Sequence, residues 1–283
     1  MKKFLVIIMQ WNIDSELMYN GPRIFNDFDL ADMYYYVDTA NPDCWDGTAI
    51  ASDTKLYNLA QQDGSEYFYA FTSGNFTSTN YEITRDYIHR KFAAGTLNTN
   101  WRGNVNKDAF ATGQTGEMSG MVFLKGGIGL TEQSNQNIYL GGFTARVSFS
   151  LASGGTSQRG PGLLIYREDG SGTLAHRTNS GNPVLTDEWC SAGFSAYVSS
   201  TNTLTVAIYK NGINVSQGTY TVNTDSNTTT LPNGSRQVLM GGWSSGYGEY
   251  TGLYNNWMFF NKQLDDTDFK QIHNSFKGRY GIL

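Results

Sequence analysis

The clearest pattern in the chain begins at Phe143. Phe143, Ala145, Val147, Phe149 and Leu151 are apolar, and Thr144, Arg146, Ser148 and Ser150 stand between them. A period of two predicts a strand with one face in a core and the other wet. Gly162 to Arg167 and Gly172 to Arg177 flank Glu168-Asp-Gly-Ser171, which predicts a hairpin. Phe194, Ala196 and Val198 alternate again, as do Leu204, Val206 and Ile208. Lys210-Asn-Gly212 follows, and an Asn-Gly pair tolerates positive φ at both turn positions, so Leu204 to Tyr209 and Ile213 to Val222 should form an antiparallel hairpin. Val238 to Gly241 is a further strand, and Tyr34 to Asp38 an early one. Between 53 and 120 the pattern is weaker. Glu66 to Phe71, Tyr81 to Thr84 and Met121 to Leu124 suit short strands, and Thr84 to Ala94 suits a short helix or a strand.

The chain closes on an aromatic run, Leu253 to Phe260, which reads as a strand buried on at least one face. Asp265 then stands at a helix N-cap position with Asp268 three residues on, where acids meet free amides and the positive helix end. Phe269, Ile272 and Phe276 make one apolar stripe, and Gly278 sits where a left-handed stop is expected. A helix of three turns is marginal alone in water, so the stripe should press on a sheet. Strands about ten residues apart without βαβ alternation predict an all-β, two-sheet antiparallel jelly-roll sandwich with a short C-terminal helix.

The ending, from Leu253-Tyr-Asn-Asn-Trp-Met-Phe-Phe260 through Leu264-Asp265 to Lys277-Gly-Arg-Tyr-Gly-Ile282, resembles the C-terminal signature of concanavalin A-like, laminin-G-type domains, in the version found in structural proteins of tailed bacteriophages. Tyr36-Val-Asp38 followed by Asn41-Pro42, Trp45 and Asp46-Gly47 resembles the start of such domains. Glu188-Trp189 ahead of Tyr209-Lys-Asn-Gly212 resembles their interior order. The resemblance implies one sandwich domain over 30–283, preceded by an arm or docking segment at 1–29. Trp189, Trp257 and Phe259 would be core, as buried strand aromatics usually are. Calcium is common in laminin-G-like domains, but no acids here can be matched to its ligands, and no metal or other cofactor is assigned.

Composition narrows the function. Aromatics reach 14% while charged residues are 16%, with 32 glycines among 283 residues, which suits many strands and tight turns. A net charge of -5 and the absence of a basic block argue against nucleic acid as a partner. Met1 to Met9 imitates a secretory signal but lacks a small-residue cleavage site, and nothing approaches the roughly 20 apolar residues of a membrane span. Cys44 and Cys190, 146 positions apart, could pair, but two free thiols are the favoured expectation.

Catalytic patterns do not emerge. Glycoside hydrolysis on this fold needs two carboxylates facing one sugar. Here Glu168-Asp169 and Asp187-Glu188 are adjacent pairs that would point to opposite strand faces. Gly242-Trp-Ser-Ser-Gly246 matches a nucleophile-elbow string but lacks the helix that must follow. His89, His176 and His273 are scattered and read as packing or surface residues. The remaining candidate is the loop Trp243 to Tyr250. Trp243, Tyr247 and Tyr250 could stack on a sugar while Glu249 takes its hydroxyls, or the same aromatics could meet a neighbouring subunit. Two expectations result. One is a non-enzymatic virion structural protein, a capsid decoration, head-fibre or tail-associated subunit, assembled in the host cytoplasm, exposed on the particle and partnered by other virion proteins and its own copies. The alternative is a lectin or adhesin that binds cell-surface glycans.

Overall fold

The computed structural model describes residues 33–51, 53–60, 66–72, 81–90, 99–103, 116–126, 137–141, 146–153, 160–166, 173–178, 187–199, 203–221, 238–240 and 252–283. The expected arm at 1–29, the Glu168–Ser171 turn and the loop from Trp243 to Tyr250 lie outside these residues.

Two antiparallel sheets carry the described chain. In sequence order the strands are β1 (Met33–Val37), β2 (Lys55–Tyr57), β3 (Tyr67–Thr72), β4 (Tyr81–Ile83), β5 (Ile88–Arg90), β6 (Thr99–Gly103), β7 (Gly116–Lys125), β8 (Asn137–Gly141), β9 (Arg146–Ser153), β10 (Gly160–Tyr166), β11 (Thr173–Arg177), β12 (Trp189–Val198), β13 (Thr203–Lys210), β14 (Ile213–Thr221), β15 (Val238–Met240) and β16 (Leu253–Phe260), followed by helix α1 (Asp266–Phe276). The first sheet runs β14-β13-β12-β7-β16-β5-β4, with β1 also paired to β16. The second runs β11-β10-β9-β8-β15-β6-β3-β2. The fold is the expected sandwich.

The last strand is central. β16 pairs with β7 on one side and with β1 and β5 on the other. Its two faces feed two cores. Tyr254, Trp257 and Phe259 pack with Tyr35, Phe68, Val122 and Phe194 between the sheets. Met258 and Phe260 pack with Phe123, Phe269, Ile272 and Phe276 under the helix. A strand covered on both sides has no wet face, so its sequence is a continuous apolar run instead of an alternation. Asn255 and Asn256 interrupt that run at a bulge, where the register with β7 shifts and Asn256 takes a φ of 46°.

Helix α1 begins as expected, with Asp265 accepting from the Thr267 and Asp268 amides and Asp268 accepting from the Asp265 amide. The stop differs from the expectation. Lys277 closes the helix in a right-handed conformation, and the left-handed residue is Gly281, whose φ is 65°. The chain continues tightening through Ile282, whose amide donates to the Lys277 carbonyl. The Asn211-Gly212 turn has both residues at positive φ, 51° and 73°, as a two-residue hairpin requires. Trp257 and Phe259 are core, whereas Trp189 is half-buried on the helix side, its ring 4.5 Å from that of Tyr280. Of the stretch Thr84 to Ala94, the described residues 84–90 contribute strand β5 and no helix.

Candidate functional site

The segment from Asp38 to Thr54 joins β1 to the sheet-edge strand β2, and its polar side chains fold it onto itself. The Ala40 amide donates to Asp38 Oδ1, the Asp43 amide to Asn41 Oδ1, the Thr48 amide to Asp46 Oδ1 and the Ala51 amide to Thr54 Oγ1. Short Asp, Asn and Thr side chains make such local turns because they reach an amide two or three residues away. The Tyr57 amide donates to the Cys44 carbonyl at 2.8 Å, which fastens β2 to the loop. Arg85 donates to the carbonyls of Ala40 and Trp45 and lies 5.6 Å over the Trp45 ring. Held in this way, the segment and β2 enclose an open cleft of about 420 Å³, lined by Asp46, Thr48, Asp53, Thr54, Lys55 and Tyr57 among others.

Strand β2 shows why the cleft has an aromatic wall. Leu56 points inward and is fully buried, so Lys55 and Tyr57 on either side of it point outward. Tyr57 is 38% exposed and meets Tyr67 edge to face at 6.1 Å. The Lys55 ammonium stands 4.3 Å from the centre of the Tyr67 ring, a contact of about 0.5–1 kcal/mol at an exposed position. The Asp46 carboxyl is held below the usual carboxylate range, first by the Thr48 amide and then by the Thr48 hydroxyl. A carboxylate kept ionised in this way accepts hydrogen bonds but cannot deliver a proton near neutrality. The cleft therefore offers an aromatic face, fixed acceptors and one ammonium, the mixture that binds polyhydroxylated molecules.

Other chemistry-bearing residues are absorbed by packing. His273 Nδ1 lies 2.9 Å from Ser191 Oγ, but Ser191 is fully buried and His273 is 6% exposed, so no substrate reaches the pair. His176 bridges β11 to β14, with Nδ1 2.7 Å from the Tyr220 hydroxyl and Nε2 3.1 Å from Ser216 Oγ. His89 faces Glu82 at 3.9 Å. Cys44 and Cys190 are both buried and not joined in a disulfide; burial pushes the Cys190 thiol up to about 12 and the Cys44 thiol higher still, which leaves both inert. Among the described residues no three His, Cys, Asp or Glu side chains gather as a metal ion would need.

The sequence-derived candidates Trp243, Tyr247, Glu249 and Tyr250 lie outside the described residues. Register does place the strand that leads to them. β15 runs against β6, β6 against β3 and β3 against β2, so β15 ends toward the same end of the sheet at which β2 begins. Sequence reasoning missed the cleft itself. Its one signal was Lys55-Leu-Tyr57, polar-apolar-aromatic after the turn-forming Asp53-Thr54, and three residues are too few to establish a period of two.

No protein-family model and no curated protein matches the sequence. Solved structures do match the fold. The chain is similar to the receptor-binding domain of botulinum neurotoxin D, with a TM-score of 0.50 and 10% identity over 87% of this chain and 53% of that one. It is similar to the binding domain of botulinum neurotoxin DC in complex with SialylT, with a TM-score of 0.51 and 12% identity over 87% and 52%. A third is a structure of botulinum neurotoxin type C, a toxin whose cell entry depends on interaction with two ganglioside molecules, with a TM-score of 0.52 and 9% identity over 87% and 52%. The chain thus spans about half the length of these three structures. At these identities the likeness is one of β-sandwich fold.

Proposed function

We propose that the chain is a non-catalytic carbohydrate-binding sandwich, a lectin or adhesin module that holds glycan against Tyr57 and the polar lining of the neighbouring cleft. The observation that carries this reading is the outward-facing Tyr57, braced by Tyr67 and set beside fixed acceptors at a sheet edge. Its support from outside the chain is that structures of similar fold include a toxin binding domain in complex with SialylT and a toxin whose cell entry depends on interaction with two ganglioside molecules. The loop bearing Trp243, Tyr247, Glu249 and Tyr250 is part of the proposal as a second contact, since β15 delivers the chain to that end of the sheet.

The test is a glycan array followed by calorimetry on the best ligand. Tyr57→Ala is expected to weaken binding about tenfold or more, as losing one stacking face of roughly 1.4 kcal/mol would. Flat arrays at high protein concentration would remove the reading. Intact binding in Tyr57→Ala with loss in Trp243→Ala, Tyr247→Ala would move the site to the loop.

A second reading keeps the resemblance at both chain ends, namely that the module is carried as a repeated subunit of a tailed-phage virion beside other virion proteins. It is compatible with glycan binding on the particle surface. An electron-microscopy map of intact particles that lacks this chain would discard it.

A further inference from the structure

We propose that the cleft selects neutral, hydroxyl-rich glycans and rejects sialylated or otherwise acidic ones. This rests on the carbohydrate-binding reading above and gives it a ligand class. The lining holds two carboxylates, Asp46 and Asp53, against one ammonium, Lys55. Both carboxylates are on exposed residues, and Asp46 is fixed in place by the Thr48 amide at 2.9 Å.

An ionised carboxylate only accepts hydrogen bonds, and so does the carboxylate of an acidic sugar, so neither can satisfy the other. Vicinal sugar hydroxyls, by contrast, donate to a carboxylate while the C–H face of the ring lies on the electron-rich face of Tyr57. The cations nearby are engaged. Lys55 is seated over the Tyr67 ring, and drawing it toward an anion gives up that contact. Arg85 packs against Gly47 and donates from Nη1 to the Ala40 and Trp45 carbonyls. The whole chain adds a net charge of -5 to the same discrimination.

An array of matched pairs tests this, each pair a neutral oligosaccharide beside the same oligosaccharide ending in sialic acid. It is probed with the full chain and with the double variant Asp46→Asn, Asp53→Asn, in which the amide side chain at position 46 keeps an oxygen for the Thr48 amide. Neutral members should bind about fivefold more tightly than their sialylated partners, the scale of one like-charge contact at about 4 Å screened by bulk water. The preference should shrink at high salt and shrink in the double variant, whose chain keeps a smaller net negative charge. Tighter binding of the sialylated members would overturn the inference and leave glycan binding standing. Failure to bind either member of any pair would overturn both, and a preference untouched in the double variant would overturn the role of the two carboxylates.

Discussion

His273 shows how a single side chain is used for packing in this molecule. Its ring stacks on Phe123 at 6.2 Å and its Nδ1 meets Ser191 Oγ, an arrangement that suits the neutral imidazole. Burial, with a further push from Lys277, takes its pKa down to about 4, whereas an unfolded histidine titrates near 6.5. Between those values the unfolded chain binds a proton that the folded chain refuses. Stability is therefore full above about pH 6.5 and falls as pH drops toward 4, by at most about 1.4 kcal/mol per pH unit. Urea unfolding at pH 7 and pH 5 should show wild type losing about 1–2 kcal/mol more than His273→Gln over that interval. Equal losses would mean that the ring is not held neutral. The helical stripe that places His273 was legible from spacing. Its partner Ser191, 82 residues away, was not, because no local rule connects a strand serine to a distant helix.

At the scale of elements, the seat of α1 is made by what β12 lacks. A side-chain carbon on Gly193 would come within 2.6 Å of a Phe269 ring carbon and 2.9 Å of the Gly120 carbonyl. The missing side chain lets Phe269 descend onto the sheet and stack on Tyr209, 3.7 Å between ring centres. Gly193→Ala should cost about 1–3 kcal/mol, the usual range for overfilling a packed site, and Phe269→Leu in that background should recover part of the loss. Thermal unfolding of the single and double variants measures both. An unchanged melting temperature in Gly193→Ala would show that the helix has room to shift. The helix, its cap and its stripe could be read from 265–276, since capping and amphipathicity act over three to eight residues. The glycine beneath it could not, because Gly193 reads as an ordinary strand glycine until the helix is laid over it.

At the scale of the whole molecule, the two ends of the described chain are bolted together. Arg279 Nη1 lies 2.8 Å from Asp38 Oδ1 and 3.2 Å from Asn256 Oδ1, and the Tyr36 and Tyr280 hydroxyls donate to Asp38 and Asn256. The network joins β1, the bulge of β16 and the segment after α1, across 241 positions of sequence. Tyr36-x-Asp38 and Lys277-Gly-Arg-Tyr-Gly281, two stretches that carry the laminin-G-like resemblance, are thus the two halves of one contact. Arg279→Ala leaves Asp38, whose side chain is 4% exposed, with the Ala40 amide and Tyr36 hydroxyl but without its cation. The expected cost is about 2–4 kcal/mol, below the figure for a fully sealed pair because Arg279 keeps some solvent contact. Asp38→Asn in the Arg279→Ala background should restore part of it, measured by chemical denaturation. A loss below about 0.5 kcal/mol would reduce the pair to a surface bridge.

By itself the sequence determined whatever is enforced within a few residues: the strand periods, the Asn-Gly turn, the acidic cap and stripe of α1, and the aromatic run of β16. Together these specify an antiparallel sandwich with a terminal helix. Tertiary structure alone decided the order of the strands, the sealing of both faces of β16, the Asp38–Arg279 bolt and the cleft beside Tyr57. The physical reason is distance along the chain. Alternation and capping are set by neighbouring backbone groups, whereas strand pairing and the meeting of a loop with a sheet edge depend on contacts between segments tens to hundreds of residues apart, which no local pattern encodes.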